Sequence, residues 1–325
     1  MKLGVSFQYP EKLTPSHLDY LRHMGVEAIE LRMLSDTYSF DELRRVQDRV
    51  DAAGLEIHEL MLQDKYNLPA ITLGRAGRDE EIEFLQGFLR DLGKAGIKHT
   101  TYAWHSGGAG MTGETTSRGA RTRFFRQDAA LAEPNKYERT YSDDDMWETY
   151  FYFMERILPV AEEADVRLQL HPNDPPLTHH GVARIFRDTA SFRRAFEGVD
   201  HNPHSAILFC VGTFAEMPGD DGKGEDIVAA IREFGPTGHI TQVHLRNTSS
   251  PIPNFQETFP DIGYLDLLEI VCALREVGFK GMITPDHILD CGDGRSTGTI
   301  GEAYALGYMR SLIQASETIV ALRDS

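Results

Sequence analysis

The stretch ILPVAEEADVRLQLHPNDPP (Ile157–Pro176) runs from the end of a helix-like segment through a strand-like one into a turn, and its reading decides the fold. Helix-like periodicity over Asp143–Glu163 leads into RLQLH (Arg167–His171), a short β-like run that ends on a residue of metal-ligand type. NDPP then supplies a strong turn. Three later runs repeat the design: AILFC ends at Cys210, ITQVH at His244 and GMITPD at Asp286.

Working outward, eight β-like runs follow in order: Lys2–Phe7, Ala28–Arg32, Glu56–Met61, Lys98–Ala103, Arg167–His171, Ala206–Val211, Ile240–Arg246 and Gly281–Asp286. Helix-like stretches lie between them, at Pro15–Met24, Phe40–Ala53, Asp79–Lys94, Asp143–Glu163, Ile227–Glu233 and Leu265–Glu276, with another at Gly301–Ala315 after the last strand. Pro15 suits a first helical position, with Thr14 before it as the cap. Strand and helix alternating in this way predict an α/β fold, a (β/α)8 TIM barrel formed as a single domain over residues 1–325. Segments 106–141 and 248–262 are rich in Gly, Ser, Thr and Pro and poorly periodic. They are expected to be long loops on the C-terminal face, acting as lids or subunit contacts. A doubly wound nucleotide-binding sheet is the rival architecture, but no GxGxxG follows the first strand. DGKGED (Asp221–Asp226) has the wrong spacing for a phosphate loop and reads as a solvated turn. No organic cofactor is expected.

Composition narrows the partners. With 325 residues and 41% hydrophobic content the chain can bury a large core. Its formal net charge of −17 argues against nucleic acid or an anionic membrane as a partner, while a local basic pocket could still take an acidic metabolite. There is no leader-like N-terminus and no run of eighteen apolar residues, so a cytoplasmic protein is expected. Cys210, Cys272 and Cys291 form no CxxC pair and suit reduced thiols, with Cys210 placed to bind metal.

Each ligand-type residue has an ordinary reading when taken alone. A strand-end histidine is more often hydrogen-bonded than metal-bound, and a cysteine after Ile207–Phe209 is usually a small buried hydrophobe. Four such residues on the tips of strands five to eight converge in a barrel cross-section, which favours one site. Imidazole, thiolate and carboxylate together suit a divalent transition metal such as Mn²⁺, Fe²⁺ or Zn²⁺.

HPNDPP (His171–Pro176), FCVGTFAE (Phe209–Glu216), VHLRN (Val243–Asn247) and PDH (Pro285–His287) resemble the signature segments of the mannonate dehydratase family, metal-dependent enzymes among the xylose-isomerase-like barrels. The resemblance continues through GVARIFRDTASFRRAFE (Gly181–Glu197). It implies dehydration of D-mannonate to 2-keto-3-deoxy-D-gluconate, with His171, Cys210, His244 and Asp286 as metal ligands and His287 as a catalytic group. Mn²⁺ is the metal the resemblance implies; Fe²⁺, Mg²⁺, Co²⁺ and Zn²⁺ are compatible alternatives. Arg246 is the candidate to fix the substrate carboxylate, or else a strand-end salt bridge. Asn173 and Asp174 would position sugar hydroxyls or the outer sphere of the metal, or simply form the turn, and Glu257 in NFQETF is expected to reach the pocket from the long loop. The chain departs from the family pattern after PDH, where ILDCGDGRSTGTIGEAYALGY (Ile288–Tyr308) lacks the Pro-Gly-Tyr segment that carries a catalytic tyrosine. Tyr304 is the candidate to take its place. TYAWHSGG (Thr101–Gly108) likewise lacks the usual Trp-Thr-Arg-Thr, although ARTR (Ala120–Arg123) keeps basic and hydroxyl groups nearby. A divergent member acting on a related sugar acid fits these departures. The other readings are a metal-dependent sugar isomerase or epimerase, and a non-catalytic metal-containing sugar-binding protein; assembly as a homo-oligomer is compatible with all three. Against the isomerase, the fourth strand has no glutamate at its tip and the sixth contributes Cys210.

Overall fold

Short strands of aliphatic and β-branched residues that are buried on both faces belong in a parallel sheet covered by helices. The computed structural model, which describes residues 1–106, 110–295 and 297–323, has that arrangement. Its strands are β1 (Lys2–Gln8), β2 (Ala28–Met33), β3 (Glu56–Leu62), β4 (His99–Ala103), β5 (Gly113–Ser117), β6 (Ala120–Arg126), β7 (Arg167–His171), β8 (Ser205–Cys210), β9 (Ile240–His244), β10 (Asn247–Thr248), β11 (Asn254–Thr258) and β12 (Met282–Thr284). Eight of them run parallel in the order β3-β2-β1-β12-β9-β8-β7-β4. At the seam between β3 and β4, the His99 ring donates through Nδ1 to the His58 carbonyl at 3.0 Å and stacks on the His58 ring at 4.3 Å. The result is a nearly closed barrel surrounded by helices, the (β/α)8 architecture expected from the eightfold alternation.

Local chemistry sets the helices. Thr14 accepts from the His17 amide, with Pro15 in the first turn as anticipated. The long helix Asp143–Ala164 starts at a reciprocal pair in which Ser142 and Asp145 each bond the other's backbone amide. Thr189–Glu197, capped by Asp188, is a helix that sequence reading passed over. Among the strands, β12 is shorter than the run Gly281–Asp286, so Asp286 lies beyond its end.

The two segments expected to be loops are a correction. β5 and β6 lie in the first, β11 lies in the second and β10 straddles its start, and together they form a four-stranded antiparallel sheet in the order β10-β11-β6-β5. Asn254–Gln256 pair with Phe124–Arg126 across the two segments, and the buried Phe125 and Phe255 rings stack at 5.3 Å. Residues 107–109 of the first segment lie outside the described residues. Inside the barrel a polar layer underlies the strand tips: Gln169 bonds Thr241 at 2.8 Å, and Gln242 bonds Glu30 at 2.9 Å. Among the described residues no helix is long and apolar enough to cross a membrane.

Candidate metal centre

β7, β8 and β9 are neighbours in the barrel, and their last residues are His171, Cys210 and His244. One ligand atom from each lies within 4.8 Å of the other two. The orientation of each group follows from its second contact. His171 Nδ1 meets the Pro172 carbonyl at 2.7 Å; a carbonyl only accepts, so the proton sits on Nδ1 and Nε2 keeps its lone pair. His244 Nε2 lies 3.0 Å from a Glu30 oxygen at the opposite side of the barrel, which leaves Nδ1 facing the cluster, buried and without a hydrogen-bond partner among the described residues. Cys210 is fully buried and accepts from the Thr213 hydroxyl at 3.1 Å. Burial alone would raise its pKa, but the Arg246 charge and the neighbouring His171 and His244 imidazoles hold the thiol well below its ordinary range. A thiolate and two imidazoles aimed by outer partners are donors that fit a divalent cation.

Asp286 stands beside two of the three, with Oδ2 3.7 Å from His244 Nδ1 and 3.8 Å from Cys210 Sγ. Burial opposes its charge, yet His287, His244 and Arg246 hold its pKa well below the carboxylate range. Arg246 donates through Nε to Asp286 at 3.2 Å, and its Nη2 lies 3.0 Å from Asp174 and 2.7 Å from Glu216. It is 4% exposed, so the expectation of a free guanidinium for the substrate carboxylate gives way to the salt-bridge reading. Gly212 in the FCVGTFAE segment is small for this reason: a Cβ there would meet Arg246 Cγ at 2.2 Å. Asn173 bonds the Trp104 carbonyl and the Phe186 amide, at 3.2 and 2.8 Å, and fastens the turn rather than facing a ligand. Asp174 does border the cavity, and its Oδ1 has no hydrogen-bond partner among the described residues.

His287 follows directly, with its backbone in the left-handed region at φ +50°. Its Nδ1 pairs with Glu257, and its Nε2 is 3.6 Å from Asp286. Burial lowers its pKa, but the Asp286 and Glu257 charges outweigh burial and raise it above the ordinary histidine value. Glu257, on β11, is also gripped by Arg123 of β6 at 2.7 and 3.0 Å, so the capping sheet carries the partner of His287. Tyr304 is not brought here. It is 39% exposed on the helix Ile300–Arg323, its ring lies edge-on to Phe259 at 5.4 Å, and it borders neither of the cavities beside His287.

A cavity of 250 Å³ opens over the cluster, lined by His171, His244, Asp286 and His287 and also by Arg32, Tyr66 and His105, which sequence reading missed. Burial pushes the Tyr66 phenol well above its usual pKa and keeps the His105 imidazole neutral. Both follow the tips of β3 and β4, the position that singled out the other ligands, and that was the available signal. A second cavity of 400 Å³ shares Phe7 and His287 with the first and is bordered by Lys12, Arg123 and Arg295. A larger cavity of 590 Å³ lies at the N-terminal ends of the strands, beside Lys2, Glu56 and Lys98, away from the cluster and from the face where barrels perform chemistry.

Comparison with known proteins bears on the same residues. The family model of D-mannonate dehydratase (UxuA) matches residues 126–322. The mannonate dehydratase of Thermotoga maritima is 28% identical over 321 residues, covering 86% of this chain and 87% of that protein. The mannonate dehydratase of Enterococcus faecalis is 27% identical over 326 residues, covering 88% of each. In three dimensions, the crystal structure of mannonate dehydratase from Streptococcus suis superposes with a TM-score of 0.85 at 24% identity, covering 98% of this chain and 95% of that one. A D-psicose 3-epimerase structure reaches 0.63 at 16% identity, covering 98% and 99%, a likeness of fold alone.

Proposed function

The chain belongs to the D-mannonate dehydratase family, and from that premise we propose that it removes water from D-mannonate, or a closely related sugar acid, to give the 2-keto-3-deoxy acid. His171, Cys210 and His244, with Asp286 beside them, would hold one divalent cation, Mn²⁺ in this reading. Such a cation supplies positive charge against the negative charge that builds on the substrate's acid oxygens as the C2 proton leaves.

The remaining work falls to side chains. The C3 hydroxyl departs with a proton, and His287 is the group that carries one, because Asp286 and Glu257 raise its pKa. Glu257 lies on the side of the ring away from Asp286, so its charge sustains that proton even when Asp286 is engaged by a cation. His105 borders the cavity with an Nδ1 that has no hydrogen-bond partner among the described residues, and is the acceptor in this reading for the C2 proton. Asp174 accepts from a sugar hydroxyl through its unpaired oxygen, and Tyr66 donates to one. Arg246 acts indirectly, fixing Asp286 and Asp174 at the edge of the cavity.

The observation that carries this reading is the placement of His287, between Asp286 and Glu257, beside an oriented His–Cys–His cluster. Purified chain loaded with Mn²⁺ and incubated with D-mannonate should yield a product lighter by one water that reacts as a 2-keto-3-deoxy acid. Conversion at constant mass would instead make the protein an isomerase or epimerase, and binding without conversion would make it a sugar-acid binder. His287→Asn should keep metal content near wild type while turnover falls by roughly two to four powers of ten.

A further inference from the structure

A second group of metal-ligating side chains lies outside this centre and shares no residue with it: Glu133, His179 and His180 offer one ligand atom each, all within 4.8 Å. The Glu133 Oε2 atom is 3.0 Å from His180 Nε2 and 3.6 Å from His179 Nε2. Adjacent histidines in an extended segment point to opposite sides, yet these two rings lie 3.7 Å apart, because His180 takes a left-handed backbone at φ +54°. Its Nδ1 meets the Pro134 carbonyl at 3.1 Å, which places a proton there, and its Nε2 is the atom turned to Glu133.

His179 is the more telling residue. It is 4% exposed, and neither ring nitrogen has a hydrogen-bond partner among the described residues. Gly110 lets the chain pack against it; a Cβ there would lie 3.1 Å from the ring. A buried imidazole normally finds a partner, and leaving one without costs about 1–3 kcal/mol. Glu133 does not resolve this, because its nearer oxygen is 3.6 Å from His179 Nε2, beyond hydrogen-bond distance. A neutral imidazole with a free lone pair is a ligand in waiting.

We propose that Glu133, His179 and His180 form a second divalent-cation site, for a borderline transition ion such as Zn²⁺, which ties the segment ending the capping excursion to the loop that carries Asp174. Two imidazoles and one carboxylate suit such an ion, and the half-exposed Glu133 leaves the rest of the coordination sphere to water. Backbone pairing already brings the two segments together, through the Tyr141 bridge to Val182 and the Lys136 amide bonded to the His180 carbonyl. The site is independent of the dehydration chemistry, since none of its residues borders the cavity over the first cluster.

The test titrates the metal-stripped full-length chain with Co²⁺ and follows visible and near-ultraviolet absorption. Two equivalents are expected, one with the thiolate charge-transfer band that Cys210 would give and one with ligand-field bands alone. Glu133→Gln, at a half-exposed position, and His179→Asn should each weaken the thiolate-free equivalent at least tenfold. Both should keep the thiolate band, which also reports an intact fold. A wild-type titration in which no thiolate-free equivalent binds overturns the proposal, as does a thiolate-free equivalent that persists unchanged in both variants. A thiolate-free equivalent lost in the variants sustains it even if no thiolate band forms, a result that would count against the first centre alone.

Discussion

Arg246 is the cation set between the buried carboxyl groups of Asp174, Glu216 and Asp286, so its removal leaves them facing one another without it. Arg246→Met is expected to destabilise the metal-stripped chain by about 3–5 kcal/mol in denaturant unfolding; a loss below about 1 kcal/mol would show that the ring of charges contributes little. His171→Ala and His244→Ala should each lower metal content and turnover together, as read by elemental analysis and product formation, and normal values for both variants would reject the proposed ligands. Glu257→Gln addresses the proton on His287. Glu257 raises the His287 pKa, so removing its charge lowers that pKa, and an acid that loses its proton earlier moves the alkaline limb of kcat to lower pH. The rate should therefore fall at neutral pH and recover in acid, whereas an unmoved limb would leave Glu257 a merely structural role. At this scale the strand-tip residues His171, Cys210 and His244 were legible because sequence position on a strand translates into position on the barrel rim. Glu30 and Glu216 were not, because they meet His244 and Arg246 only across the folded interior.

The capping sheet is the element that sequence reading could not supply. RLQLH and AILFC announce themselves by local composition, but GETTS and NFQET are polar, and β11 and β6 find each other only when the barrel has brought their loops together. The helix Thr189–Glu197 was missed although the Asp188 cap was there to be read. Phe125 and Phe255 are the buried pair that holds the sheet. Phe255→Ala should destabilise the cap by about 3 kcal/mol or more. Hydrogen exchange would show this as faster exchange over residues 113–126 and 254–258 with the protection of β7 to β9 unchanged. Uniform loss of protection would mean that cap and barrel unfold as one unit.

Across the whole molecule, closure of the barrel makes stability sensitive to acid at a point far from the active face. His99 lies at the β3–β4 seam, where burial and the neighbouring His58 lower its pKa to about 3. The unfolded chain, with an ordinary value near 6.5, therefore binds more protons than the folded one between those limits, and stability falls as pH falls through that window. The loss is up to about 1.4 kcal/mol per pH unit. Unfolding midpoints of His99→Asn should decline less steeply than wild type from pH 6.5 downward; parallel declines would place the acid sensitivity elsewhere. The cross-pairing of segments 106–141 and 248–262 has a different kind of outcome. Residues that grip Glu257 on one segment and present it to His287 from the other form a single unit of inheritance, although a large part of the chain separates them. A chimera that imports one segment from a relative should misplace its mate, while one that imports both should transplant the donor's substrate preference intact.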